Sequence, residues 1–95
     1  MAELEMRKNA GAFRYEAWED DEMVSQIDYF LDGQVLTITH TGTPPRHRHR
    51  GLASRLTTFA LDDIRASGLR VVPLCPFTAS YIADHPEYSG LVSRS

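Results

Sequence analysis

The hydrophobic period of this chain changes once, at Pro44-Pro45, and that change constrains the fold more than any other feature. Before the prolines, apolar side chains alternate along the chain; after them, they recur every three or four positions. Phe13, Tyr15 and Ala17 alternate with Arg14, Glu16 and Trp18, the period of a strand with one buried face. Glu19-Asp20-Asp21-Glu22 reads as a solvated turn, and Met23 to Leu31 resumes the strand pattern around Val24, Ile27, Tyr29 and Leu31. Asp32-Gly33 is a two-residue hairpin signal whose central residues both call for positive φ. Gln34 to Thr41 returns with the β-branched residues Val35, Thr37, Ile38 and Thr39. The first half therefore predicts an antiparallel meander of three strands, with Trp18 packing on it.

Beyond the prolines, Leu52, Leu56, Phe59, Ala60 and Ile64 form one face of a helix, and Gly68 is placed to cap its C-terminus. Leu69 to Leu74 is a short apolar strand of the buried type. A strand, a helix and a strand in that order predict parallel neighbours joined by a right-handed crossover. A last short helix begins near Pro76 and runs through Ala79, Tyr81 and Ile82, with His85 structural because Pro86 ends the helix. The order is β-β-β-α-β-α, an α+β fold with a mixed sheet, an antiparallel meander and one parallel crossover. Residues 1–11 are polar and end in Ala-Gly, so they read as a flexible or partly paired N-terminus; residues 12–95 form the single domain.

Ninety-five residues leave room for one core. With 42% hydrophobic and 24% charged residues, the chain has the composition of a globular domain and not of a disordered one. No apolar run approaches the ~20 residues that span a bilayer, and the N-terminus lacks a signal-peptide stretch. One cysteine, Cys75, excludes an internal disulfide and suits a reducing compartment, so the expected location is the cytoplasm. The net charge of −3 hides an asymmetry, since residues 1–43 carry three basic and nine acidic side chains and residues 44–95 seven and four. A basic second half suits an anionic ligand, although chance spacing on a solvated surface gives the same split.

The basic residues concentrate in Arg46-His47-Arg48-His49-Arg50-Gly51-Leu52-Ala53, between a strand and a helix. Free backbone N–H groups and the positive helix end make such a junction an anion site. Gly51 lets the backbone approach a phosphate and Ala53 avoids a clash in the first turn; the plainer reading is a polar loop before an ordinary helix. His47 and His49 lack a nearby third metal ligand, so no metal is expected. The chain is acidic overall and has no distributed basic face, which argues against nucleic acid as a partner.

Arg48-X-X-Gly51-X-Ala53 resembles the Gln/Arg-X-X-Gly-X-Gly/Ala signature of the GNAT acetyltransferase superfamily. Ile38-Thr39-His40-Thr41, Pro44, Arg50-Gly51-Leu52-Ala53, the block from Gly68 through Pro73-Leu74-Cys75-Pro76-Phe77, Tyr81-Ile82 and His85-Pro86-Glu87-Tyr88 are similar to one branch, the small single-domain GNAT-like proteins. The resemblance covers residues ~13 to ~92. It implies a trimmed GNAT fold that binds acetyl-CoA, with the pyrophosphate against the Arg48–Ala53 loop, Arg46 and His47 also among the cofactor-binding residues, and the pantetheine along Thr41–Thr43. The acceptor implied is a small or peptide amine, and the expected assembly is a monomer or weak homo-oligomer with no membrane partner. Members of the branch usually carry an acidic residue and then valine where this chain has Gly42 and Thr43, and a glycine where it has His49.

Three residues are candidates for catalysis. His40 falls near the C-terminal end of the third strand, and Cys75 just past the end of its predicted parallel neighbour, the edge where open sheets bind ligands. Cys75 precedes Pro76 and so caps the last helix, where the dipole lowers a thiol pKa; a thiolate beside an imidazole is a nucleophile–base pair. Both positions match residues suspected of catalysis in the branch; otherwise Cys75 is a small buried hydrophobe and His40 a solvent-facing strand residue. The resemblance also places Tyr81 where a tyrosine protonates the departing CoA thiolate, and a core aromatic fits the position equally well. The expected activity is acetyl transfer to an amine, directly or through Cys75. The alternative is a CoA- or nucleotide-binding module without catalysis, favoured by the missing acidic residue at 42.

Overall fold

The computed structural model of the protein describes residues 3–93. Five strands form one sheet in the order β1-β2-β3-β4-β5: β1 Leu4–Asn9, β2 Arg14–Glu19, β3 Glu22–Asp32, β4 Val35–Gly42 and β5 Arg70–Pro73. The first four are antiparallel and β5 joins β4 in parallel after helix α1, Leu52–Ala66. Helix α2, Pro76–Asp84, and a 3-10 segment at Pro86–Leu91 close the chain. The α+β mixed sheet is the one expected, with one strand more.

That strand corrects the reading of the N-terminus. Leu4–Asn9 pairs along its whole length with Glu19–Arg14, while Met1 and Ala2 lie outside the described residues. The cause is tertiary: Leu4 and Met6 pack against the core, a contribution too sparse to register as periodicity. Phe13 also departs from its expected place. It follows a 3-10 turn at Ala10–Ala12 with φ 55° and is 54% exposed, so the buried alternation starts at Tyr15. In the β3–β4 hairpin, Asp32 pairs with Val35, leaving Gly33-Gln34 as the loop. Only Gly33 has positive φ, which shifts the tight turn one residue from the position expected.

The core lies between the sheet and α1. Tyr15, Ala17, Ile27, Leu36 and Ile38 meet Leu56, Ala60, Leu61 and Ile64, all fully buried. Phe59, expected on the buried stripe, is only partly covered and meets Tyr15 edge-on, whereas Leu61 takes a full core place. The helix ends as expected at Gly68, φ 71°, where Leu69 N–H reaches the Ile64 carbonyl and Gly68 N–H that of Arg65.

Asp63 of α1 ties the helix to the two outer strands. Its carboxylate accepts from the Tyr15 hydroxyl at 2.8 Å and from Lys8 Nζ at 2.9 Å. Partial burial pushes the Asp63 carboxyl up, but the bonds from Lys8 and Tyr15 outweigh it and the net shift is below the ordinary 3.8. A carboxyl depressed on folding stabilises the fold above its unfolded pKa and loses that contribution as pH falls through the folded value. We predict that Asp63→Ala, which strands the buried Tyr15 hydroxyl, costs about 1–3 kcal/mol at pH 7. Urea denaturation as a function of pH should show the parent losing stability below pH 3.8 more steeply than the variant.

Candidate active site

The parallel pair of strands is short. It registers Val35 with Arg70 through Ile38 with Pro73 and stops there. Pro73 has no N–H to donate, Leu74 N–H turns back to the Val72 carbonyl, and Cys75 N–H makes the last bond, to Ile38 at 3.1 Å. Pro76 then opens α2. β4 continues to Gly42, still paired with β3, so its other edge beyond Ile38 has no strand beside it. Thr39 is an extra residue there, because Asp28 faces His40 while Tyr29 faces Ile38.

A cleft of about 730 Å³ fills this opening. Its walls are β3 (Met23, Ser25, Gln26), the end of β4 (His40 to Gly42), Thr43 and Pro44, the loop and first turn of α1, and Phe77 of α2. His47, Arg48, His49, Gly51, Leu52 and Ala53 face it. The N–H groups of the first helical turn have no acceptor within the helix, so they are available to a ligand. Gly51 has φ 73°, and a Cβ built on it would meet nothing within 4 Å. Backbone conformation therefore requires this glycine, and the open space beside it suits a phosphate.

Arg46 and Arg50, assigned by sequence to the anion, turn elsewhere. Arg46 pairs with Glu22, and Arg50 pairs with Glu19 while donating to His47 Nδ1 at 2.8 Å. His47 Nε2 lies 2.9 Å from Glu22. An arginine can only donate, so Nδ1 accepts and the His47 proton sits on Nε2, directed at Glu22. The hydrogen bond from Arg50, joined by its charge, holds the Glu19 carboxyl below its ordinary value. Glu19 and Glu22, read as part of a solvated turn, thus brace the loop from the β2–β3 hairpin. Periodicity carries no signal for this, because the partners lie 24 to 31 residues apart.

The strand end is held as firmly. Arg48 Nε donates to the Thr43 carbonyl at 3.2 Å, and Ser25 Oγ bridges the Gly42 carbonyl and the Thr43 hydroxyl. Thr41 bonds Cys75 Sγ at 3.4 Å. Cys75 caps α2 as expected, but it is 6% exposed and its partner is Thr41, not His40. Adjacent strand residues point to opposite faces, so a Thr41 side chain turned to Cys75 sends His40 the other way. Burial pushes the Cys75 thiol up; the Thr41 hydroxyl and the N–H groups of Thr78 and Phe77 more than offset this, leaving the net shift downward.

Tyr81 is not on the cleft wall. Its hydroxyl bonds Thr58 of α1 and its ring stacks on His85 at 3.9 Å. His40 is exposed, lines the cleft, and has no hydrogen-bond partner on its ring among the described residues. No carboxylate lines the cleft, and no group of three metal-ligating side chains occurs among the described residues.

The thiol makes a direct test. Alkylation of Cys75 by iodoacetamide followed against pH should give a midpoint below the ordinary thiol value of roughly 8.5. Thr41→Val, which removes the hydroxyl but keeps the shape, should move the midpoint upward. An unchanged midpoint in the variant would remove Thr41 as the cause.

Residues 14–91 match the profile of the GCN5-related N-acetyl-transferases. Among solved structures, a GCN5-like protein of Staphylococcus aureus superposes with a TM-score of 0.75 at 20% identity, over 98% of this chain and 91% of that one. The ribosomal-protein-S18-alanine N-acetyltransferase of Escherichia coli gives 0.63 at 12% identity, and a GNAT-family protein of Desulfovibrio desulfuricans 0.55 at 19%. The chain covers 83% and 81% of itself in these two but only 54% and 51% of those proteins, so it spans about half their length. The sheet opened between β4 and β5 and the glycine-led helix start belong to a recognisable protein family: this chain is a member of the GCN5-related N-acetyltransferases.

Proposed function

We propose that the cleft binds acetyl-CoA and that the protein transfers the acetyl group to an amine. The observation that carries this reading is the coincidence of two features in one cavity: an open β4 edge and the start of α1 with its free N–H groups. The pyrophosphate would lie against His47–Ala53 and the pantetheine along Thr41–Thr43, with the β4 edge offering N–H donors to the thioester carbonyl. His40 and His49 are the titratable groups in the cleft with unengaged rings, since His47 is committed to Glu22 and Arg50; of the two, His40 stands at the end of β4 beside the place given to the pantetheine, whereas His49 belongs to the loop given to the pyrophosphate. As the amine nitrogen bonds to the carbonyl carbon, its proton passes to His40. The C–S bond then breaks and the CoA thiolate leaves, taking up that proton through solvent, so that amine and acetyl-CoA become amide and CoA.

The burial of Cys75 behind Thr41 supports direct attack over an acetyl-cysteine. The bond between Tyr81 and Thr58 supports a packing role over protonation of the thiolate. A second reading, a CoA-binding module without turnover, is favoured by one observation: no carboxylate lines the cleft. Release of free thiol from acetyl-CoA in the presence of amines, peptides or polyamines separates the two.

Acetyl-CoA at 100 times its dissociation constant should stabilise the fold by about 2.7 kcal/mol, measured as a rise in melting temperature. Gly51→Asp should abolish that rise, because it places a carboxylate in the open space where a phosphate would stand. The variant should still fold, at a cost of about 1–2 kcal/mol for a side chain at positive φ. A parent with no shift at millimolar acetyl-CoA would falsify the assignment.

A further inference from the structure

Four of the glycines in and around the fold's turns and strands divide by what they need. Gly33, Gly51 and Gly68 all have positive φ, and a Cβ on any of them would meet nothing within 4 Å. Gly42 is the reverse. It sits in a strand without positive φ, so its backbone suits any residue, yet its Cβ would stand 3.0 Å from His40 Nε2 and 3.7 Å from His40 Cδ2. The imidazole of His40 therefore lies over the Cα of Gly42, in the space a side chain would fill.

The same face fixes what surrounds the ring. Residues two apart on a strand share a face, so His40 and Gly42 point the same way. Across the ladder, His40 is opposite Asp28 and Gly42 is opposite Gln26, whose Cγ would be 3.9 Å from the Cβ at 42. The Gln26 amide donates to both carboxylate oxygens of Asp28 at 3.1 Å. Gln26, His40 and Gly42 all line the cleft. No hydrogen bond to the ring nitrogens of His40 holds the rotamer among the described residues, so steric room is the restraint that remains.

We propose that Gly42 is the positioning residue for His40: the missing side chain at 42 lets the imidazole fold along the strand end into the cleft, with Nε2 over the backbone of Gly42. This rests on the reading of His40 as the group that takes the amine proton. Its own content is different: the reach of that group is set by the absence of a Cβ two residues away. A methyl group at 42 meets the far end of a side chain that can rotate, so the ring swings out and the strand stays.

Gly42→Ala, with Gly42→Ser as a second variant, tests this by two independent readouts. The first is the ring resonances of His40 in long-range proton–nitrogen spectra, assigned with His40→Ala and titrated against pH. They should move in both variants, while the ring signals of His47, His49 and His85 stay as in the parent. The second is turnover: kcat should fall about 10²-fold, as expected for a misplaced proton acceptor. In a His40→Ala background, the same change at 42 should have no further effect on kcat. Unmoved His40 signals in both variants, or an equal loss of kcat with and without His40, would overturn the proposal. Should the parent show no turnover at all, the catalytic reading fails while the spectra still decide whether residue 42 sets the ring.

Discussion

The candidate site depends on the early end of one parallel ladder. β4 and β5 share only four residue pairs before Pro73 removes a donor and the chain turns toward α2. β4 runs on beyond that point because β3 still holds it, with Ser25 fastening Gly42 and Thr43 from the other side. A gap between two strands would ordinarily close by further pairing, since unpaired backbone groups are costly. Here Pro76 commits the chain to a helix before it can, and Cys75 fixes that helix to Thr41. On this view the thiol is a pillar beside the cleft; burial pushes its pKa up, and the Thr41 hydroxyl first, then the N–H groups of Thr78 and Phe77, bring it down below the ordinary value.

The second constraint is electrostatic and joins distant parts of the chain. The basic loop before α1 divides its charges: Arg48 faces the cleft and pins Thr43, while Arg46 and Arg50 bind the acidic hairpin. Three arginines in one loop repel each other, and the carboxylates of Glu19 and Glu22 offset that repulsion. The brace also orients His47, whose two ring nitrogens are taken from opposite sides. A loop held this way is arranged before any ligand arrives, which lowers the entropic cost of ordering it on binding.

Family membership gives the class of chemistry, and the details of this chain supply the proposed route. With no carboxylate in the wall, the proposed proton acceptor is an imidazole with an unengaged ring. In the proposal above, glycine at 42 leaves the room that ring occupies. The chain spans about half the length of two of the solved acetyltransferase-fold structures, and the end of β4 supplies the opening in its sheet.

Much of this was legible in the residues alone. The alternation of Tyr15, Ala17, Val24 and Ile27, the helical stripe from Leu52 to Ile64, Gly68 at the cap and Pro76 at a helix start are local signals. Each depends on neighbours within a few residues, so the meander, the crossover and the strand-to-helix junction could be placed without coordinates. What needed the tertiary structure was every contact across the chain. β1 exists because Leu4 and Met6 find a core formed by later segments. Arg46 and Arg50 turn from the cleft because the carboxylates of Glu22 and Glu19 pair with them. Cys75 meets Thr41 and not His40 because consecutive strand residues face opposite ways. Periodicity and capping report the direction a side chain takes from its own element, whereas a partner 20 to 30 residues away is chosen by packing.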